Sequence, residues 1–350
     1  KRSLARSSGV RAMRGAALAL RPSLGPALGH ALGHARPCGR AVAQDTASKF
    51  SGPLARRTRG YSAMPRSAEA PGPGSAAVVT GAGSGIGRAL TLALVRRGLR
   101  VIGVGRRQEA LSQTIELARA LPGNPSSQAE AVVADVSTPE GREAVAEHVR
   151  SQVIACGGEL KFVVQNAAVI GEVGPPSEAT LEGFRAAMAT NVEGPLFLTQ
   201  ALAGWLAQAS GGGRVLHVSS GAAHRPLGHW LTYCTSKAAL LQLARCLDTD
   251  LAPSVRVGSA MPGVVDTEMQ DTLRGLTFPD MEMIKSLKAN APAGSWSSAS
   301  APPQGGLDKA ENVADFFAWL LLDVSPEDFG GREWDINDVE DQRRWLATRR

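Results

Sequence analysis

Three side chains in this sequence have the types and spacing of a proton-transfer device. Ser220, Tyr233 and Lys237 fall as S-x12-Y-x3-K. If Tyr233 and Lys237 share one helix, four residues apart, they stand on one face. An ammonium close to a phenol favours the phenolate, so the spacing predicts a Tyr233 acidity moved below its ordinary value of about 10. Such a phenol is a usable acid or base near neutrality. A Ser220 hydroxyl at the end of the preceding strand can bond the same carbonyl oxygen. The competing reading is a tyrosine, one of only two in the chain, followed by an ordinary surface lysine. The trio alone does not decide between them.

A second group lies well upstream. Thr80-Gly81-Ala82-Gly83-Ser84-Gly85-Ile86-Gly87 follows a strand-like run and opens a helical one. Glycines let backbone approach a pyrophosphate closely, and the helix start offers free N–H groups and a positive dipole end. A glycine-rich loop without a ligand is the alternative, but strand before and helix after is the context this motif needs. The next strand ends Val104-Gly105-Arg106-Arg107, with no acid between Val101 and Gln108. An acid there would accept the ribose 2′-hydroxyl of NAD, whereas an arginine accommodates the 2′-phosphate of NADP. Arg106, directly after the turn, therefore favours NADP(H), with NAD(H) the lesser choice.

The elements that must position these groups alternate. Strand-like runs occur at 76–80, 100–104, 129–134, 160–165, 214–218, 254–259 and 332–336. Between them lie helical patterns at 85–98, toward Leu121-Pro122-Gly123, beyond Pro139, at 181–209 and at 231–251. The longest places Leu181, Phe184, Met188, Leu198, Leu202 and Trp205 on or near one face. Alternating strands and helices imply parallel pairing through right-handed crossovers. The expected fold is α/β, a single Rossmann-like doubly wound domain over residues 76–340. It would have about seven parallel strands with helices on both faces, and apolar strands such as Phe162-Val163-Val164 fit a sheet covered twice. There is no internal repeat.

Charge divides the chain. Its 350 residues carry a net +6, but residues 1–75 hold thirteen Lys/Arg against only Asp45 and Glu69. The remainder is mildly acidic and shows no nucleic-acid-binding face. Residues 1–75 are expected to be a disordered basic leader, too poor in large apolar side chains to offset ordering entropy. Arg-rich, acid-poor, Ser-containing N-termini are typical of transit peptides, and Arg59-Gly60-Tyr61-Ser62-Ala63 resembles a mitochondrial processing site. The chain starts at Lys1, so an upstream or fragment origin with Met64 as the true start, in a cytoplasmic protein, competes with mitochondrial import. No apolar run reaches the ~20 residues of a membrane span. Cys38, Cys156, Cys234 and Cys246 form no C-x-x-C pair and no zinc spacing, which favours a reducing compartment and no structural metal.

Together these motifs resemble the short-chain dehydrogenase/reductases from about Ala76 to Asp338. Asp135-Val136, Asn166-Ala167-Ala168, Asn191 and Pro262-Gly263 complete the likeness. The resemblance implies that Asp135 contacts adenine, that Asn166 supports sheet and cofactor, and that Asn191 holds a water in a proton relay with Lys237. It further implies that Val265 and Thr267 contact the nicotinamide carboxamide and phosphate region, and that Lys237 bonds the nicotinamide ribose. Two positions depart from the family's pattern. Gln165-Asn166-Ala167-Ala168 replaces Asn-Asn-Ala-Gly, and Ser84 replaces the basic residue that many NADP enzymes carry. A narrower likeness, carried by Val218–Ala223, Tyr233–Lys237 and Pro262–Gln270, is to the benzil reductase and sepiapterin reductase-like branch. That branch implies NADPH-dependent reduction of a ketone or diketone, with Tyr233 protonating the alkoxide and Ser220 orienting the oxygen. An NAD-dependent alcohol dehydrogenase and a catalytically silent NADP-binding regulator are the alternatives. The partner expected is a small carbonyl or alcohol substrate, with no nucleic acid and no membrane. A homodimer or homotetramer is expected through the apolar helices around Asn191 and Tyr233. Residues 271–309 are expected to carry substrate identity as a lid, with Ala291–Gly306 an unstructured insertion. His217 reads as strand packing, while His224 and His229-Trp230 are candidates for the pocket wall.

Overall fold

The computed structural model describes residues 74–122, 128–269 and 308–348. Most of the leader and of the expected lid therefore lie outside the described residues. Seven strands form one parallel sheet in the order β3-β2-β1-β4-β5-β6-β7. They are β1 (Ser75–Thr80), β2 (Arg100–Gly105), β3 (Ala129–Val133), β4 (Glu159–Gln165), β5 (Gly213–Val218), β6 (Val255–Met261) and β7 (Glu333–Asp335). All six pairings are parallel, so the doubly wound α/β expectation is met.

Alternation along each strand sorts side chains between two cores. Ala77, Val79, Phe162, Val164, Leu216 and Ala260 face one layer. It is covered by α1 (Gly85–Arg96), α2 (Gln108–Arg119) and the later α7 (Ala310–Leu322). Ala76, Val78, Val163, Val215 and Val257 face the other. That layer is covered by α3 (Pro139–His148), α5 (Gly194–Gln208) and α6 (Leu231–Leu251). The strand order reverses between β1 and β4, and in an open α/β sheet that crevice at the carboxyl ends of the strands is where ligands sit.

The expected single helix over 181–209 is not uniform. α4 (Leu181–Met188) passes through a π-helical turn, Ala189–Glu193, before α5 begins. The wider turn rotates the face, so Leu198 and Leu202 are buried while Leu181 is 64% exposed. Leu181 therefore does not belong to the buried stripe. At the other end, the four-residue α8 (Pro326–Phe329) and α9 (Val339–Ala347) follow α7. Trp345 of α9 is buried against Phe316 of α7, so the domain runs past the expected limit at residue 340. Among the described residues no helix is long and apolar enough to cross a membrane.

Candidate active site

The turn from β1 to α1 is built so that only glycine fits at its crossing point. A Cβ on Gly87 would lie 2.2 Å from the Gly81 carbonyl oxygen, and Gly81 itself has φ +69°. Asn166, just past β4, holds the turn from the side. Its Nδ2 donates to Thr80 O at 2.9 Å, and its backbone N–H donates to Thr80 Oγ1 at 2.9 Å. Arg88 holds it from below, donating to Gly83 O at 2.5 Å and Thr114 Oγ1 at 3.0 Å. Nothing in the local sequence singles out Arg88, because its partners come from α2 and the turn itself.

A cavity of about 300 Å³ opens over this turn, within the size range of small-molecule sites. Of the residues expected to bind cofactor, Gly81, Gly83, Ser84, Gly85, Ile86, Arg106, Asp135, Val136, Asn166, Pro262 and Thr267 line it, with Ala168. Tyr233 and Lys237 line the same cavity. Gly87, Gly263, Val265, Asn191 and Ser220 do not. Gly87 lies beneath the turn, and Val265 is buried in a bridge with Asp308. Arg107, Ser219 and Glu268, to which no site role was assigned from the sequence, are among the other lining residues.

Both arginines after β2 face the cavity. Arg106 lies 3.8 Å from Asp135. Asp135 also accepts from Ser137 N–H at 2.9 Å and its hydroxyl at 2.7 Å. Burial works to raise the Asp135 carboxyl, but the Ser137 hydrogen bonds and the Arg106 charge outweigh it and hold it below its ordinary value. Arg107 pairs with Glu268 at 2.8 Å. It is a second arginine beside the one singled out, and only tertiary folding reveals its partner.

The trio meets at the other end of the cavity. α6 puts Tyr233 and Lys237 on one face, as their spacing predicts, with the Lys237 Nζ 5.7 Å from the Tyr233 ring centroid. Lys237 is buried and donates to Val218 O at 2.9 Å. Ser220 follows β5 and caps the 3₁₀ turn Gly221–Ala223, accepting from Ala222 N–H at 3.2 Å. The expected lowering of the phenol does not occur. Burial pushes Tyr233 up to about 12, the Ser220 side chain offsetting part of the rise. Burial also brings Lys237 down to about 8. Desolvation of the phenolate dominates, and the Lys237 ammonium is directed to a backbone carbonyl rather than to the phenol oxygen.

Asn191 sits on the π turn, a device frequent at functional sites. Its amide accepts from Val169 N–H at 2.9 Å and donates to Val169 O at 2.8 Å and Ser236 Oγ at 2.9 Å. It thus ties the segment after β4 to α6, one residue from Lys237. His224 does not line the cavity; it pairs with Glu333 at 2.6 Å. His229 takes φ +66° and accepts from Gly174 N–H through its carbonyl. Trp230 packs edge-on against Tyr233, centroids 5.8 Å apart. His217 is fully buried on β5, as strand packing requires.

An open parallel sheet whose switch-point crevice holds a glycine turn, two arginines and a Tyr/Lys pair defines a dinucleotide-type site joined to an acid–base group. A family model described as short chain dehydrogenase matches residues 75–275. L-xylulose reductase of Bos taurus is 31% identical over 253 residues, 72% of this chain and 91% of that protein. Sorbitol dehydrogenase of Cereibacter sphaeroides is 29% identical over 71% of this chain and 90% of its own. The solved structure of L-sorbose reductase from Gluconobacter frateurii, complexed with NADPH and L-sorbose, superposes with TM-score 0.64 at 26% identity. It covers 77% of this chain and 97% of that one. The chain belongs to the short-chain dehydrogenase/reductase family, and is an oxidoreductase of CH–OH and C=O groups.

Proposed function

We propose that this protein is an NADP(H)-dependent carbonyl reductase that converts a ketone or diketone to an alcohol. The observation that carries the reading is that one cavity is lined by the glycine turn, by Arg106 and Arg107, and by Tyr233 and Lys237. The residues fit a phosphorylated dinucleotide. Gly81, Gly83 and Gly85 line the cavity with no side chain to hold a ligand off the backbone, and Arg106 and Arg107 line it after β2, where an arginine accommodates a 2′-phosphate. The Ser219 hydroxyl, buried on the cavity wall, has no hydrogen-bond partner among the described residues and is available to a bound group. When bound, the dinucleotide supplies a hydride to the carbonyl carbon. Ser220 orients the oxygen, Tyr233 gives it a proton, and Lys237 holds positive charge beside the phenol.

The surroundings of Tyr233 favour an apolar carbonyl compound. Ala222 and Trp230 form a buried cluster with it, with Ile170, Val173, Leu227 and Cys234 packed against them. The nearby acid Glu172 is engaged by Thr180, and His224 by Glu333. A substrate carbonyl brought to Tyr233 beside this apolar cluster suits the diketones of the benzil and sepiapterin reductase branch better than the sugars named in the relatives. A panel pairing an aryl diketone with L-xylulose and L-sorbose, each with NADPH and NADH, tests this. Turnover of the diketone with NADPH is expected. Preference for NADH and an alcohol in the oxidative direction, or cofactor binding without turnover of any substrate, would overturn it.

We further propose that the basic leader is an appendage to this enzyme and that the enzyme assembles as a homodimer or homotetramer. Mass spectrometry of the N-terminus from cells distinguishes mitochondrial processing, which leaves Ser62 first, from a cytoplasmic start at Met64.

A further inference from the structure

We infer that Glu268 is a specificity-determining counter-ion: it occupies the guanidinium of Arg107 and so sets how tightly the groove holds a cofactor's 2′-phosphate. The inference rests on the NADP(H) reading above. Ser84, Arg107 and Glu268 come from the β1–α1 turn, the β2–α2 turn and the segment after β6, and all three line the cavity. Arg107 donates to Glu268 Oε2 at 2.8 Å and to Ser84 Oγ at 3.3 Å through the same nitrogen. Ser84 stands at the N-cap of α1, yet its side chain makes no capping hydrogen bond. Its hydroxyl serves the ion pair instead.

A carboxylate is an odd lining for a groove that takes a polyanion, because like charges within a few ångströms disfavour one another. Arg107 neutralises it. A guanidinium fork matches one carboxylate or one phosphate in its best geometry, not both. Glu268 takes one nitrogen of Arg107, so a 2′-phosphate arriving there shares the guanidinium with a carboxylate and is repelled by it. Arg106 is less committed, since its acid lies 3.8 Å away. Both partners of the Arg107 pair are more than half exposed, at 62% and 58%, so the exchange is modest in size and screened by salt.

Dissociation constants for NADPH and NADH, read from nicotinamide fluorescence on the full chain, test the inference. Glu268→Gln is expected to tighten NADPH about fivefold, the size of one exposed ion pair, and to leave NADH within about twofold. In an Arg107→Met background the gain from Glu268→Gln should shrink, because the two residues act as a pair. Thermal unfolding of each variant verifies that the fold is kept, as expected for exposed side chains. Unchanged or weaker NADPH binding by Glu268→Gln overturns the inference, as does an equal gain without Arg107. Wild-type protein that binds NADH as tightly as NADPH refutes the NADP(H) reading and this inference with it, and shows before any variant is made.

Discussion

Tyr233 is flanked by groups of three kinds: the Ser220 hydroxyl, the edge of Trp230, and the Lys237 ammonium over its ring. Tyr233→Phe removes the proton donor and little else. It is expected to lower kcat for diketone reduction by about 10²–10⁴-fold, with the NADPH dissociation constant unchanged in a fluorescence titration. Lys237, brought down to about 8 by burial, loses its charge as pH rises through that value. The rate of reduction should therefore fall above about pH 8, and a pH profile of kcat/KM shows whether it does. His217 gives a stability effect of defined sign. Burial brings its pKa down to about 4, helped by Lys237 and opposed by the Leu240 backbone. An unfolded histidine titrates near 6.5, so between these values the unfolded chain holds a proton that the folded one refuses. Stability is lost as pH falls from about 6.5 toward 4, by about 3 kcal/mol from this residue. His217→Leu should flatten that part of the curve in denaturant titrations at stepped pH.

At the scale of elements, β5 carries a cation that is hydrogen-bonded to three carbonyls. Arg214 is buried and donates to Leu320 O at 3.2 Å, Leu321 O at 2.9 Å and Val324 O at 2.6 Å, at the C-terminal end of α7. Those carbonyls are the orphans that every helix end leaves, and a positive charge complements the dipole there. Arg214→Met strands them in the core and should cost about 2–4 kcal/mol in urea unfolding. The β1–α1 turn is as strict, since Gly87→Ala drives a methyl group into the Gly81 carbonyl. Loss of NADPH binding is the expected result. The contrast with what the sequence discloses follows from range. Each strand was legible to within two residues, because buried apolar runs are local signals, and the Tyr233–Lys237 face followed from helical spacing alone. Arg107 was passed over because its partner lies 161 residues away. The phenol's upward shift was hidden too, because burial is a property of the packed molecule and not of spacing.

For the molecule as a whole, the side of the sheet covered by α5 and α6 carries large apolar groups in solvent. Leu181, Phe197 and Leu231 are exposed on α4, α5 and α6, and Arg142 sits 5.3 Å from the Phe197 ring centroid. Self-association through this side predicts a dimer or tetramer by light scattering, shifted toward monomer by Phe197→Glu. The π turn at Ala189–Glu193 bears on the same side. A π turn amounts to one residue more than a regular helix needs. Delete a residue there and α4 and α5 could fuse into one unbroken helix, a gain in local regularity. Because the wider turn absorbs that extra residue, side chains beyond the deletion would keep their direction, with Leu198, Leu202 and Leu206 still on the sheet, and what would be lost is the bulge that carries Asn191. The helix would survive a gap of one here but the Asn191 ties to Val169 and Ser236 would not, so the extra residue serves the site rather than the sheet, and an evolutionary record of this chain should keep its residue count there even where its letters drift.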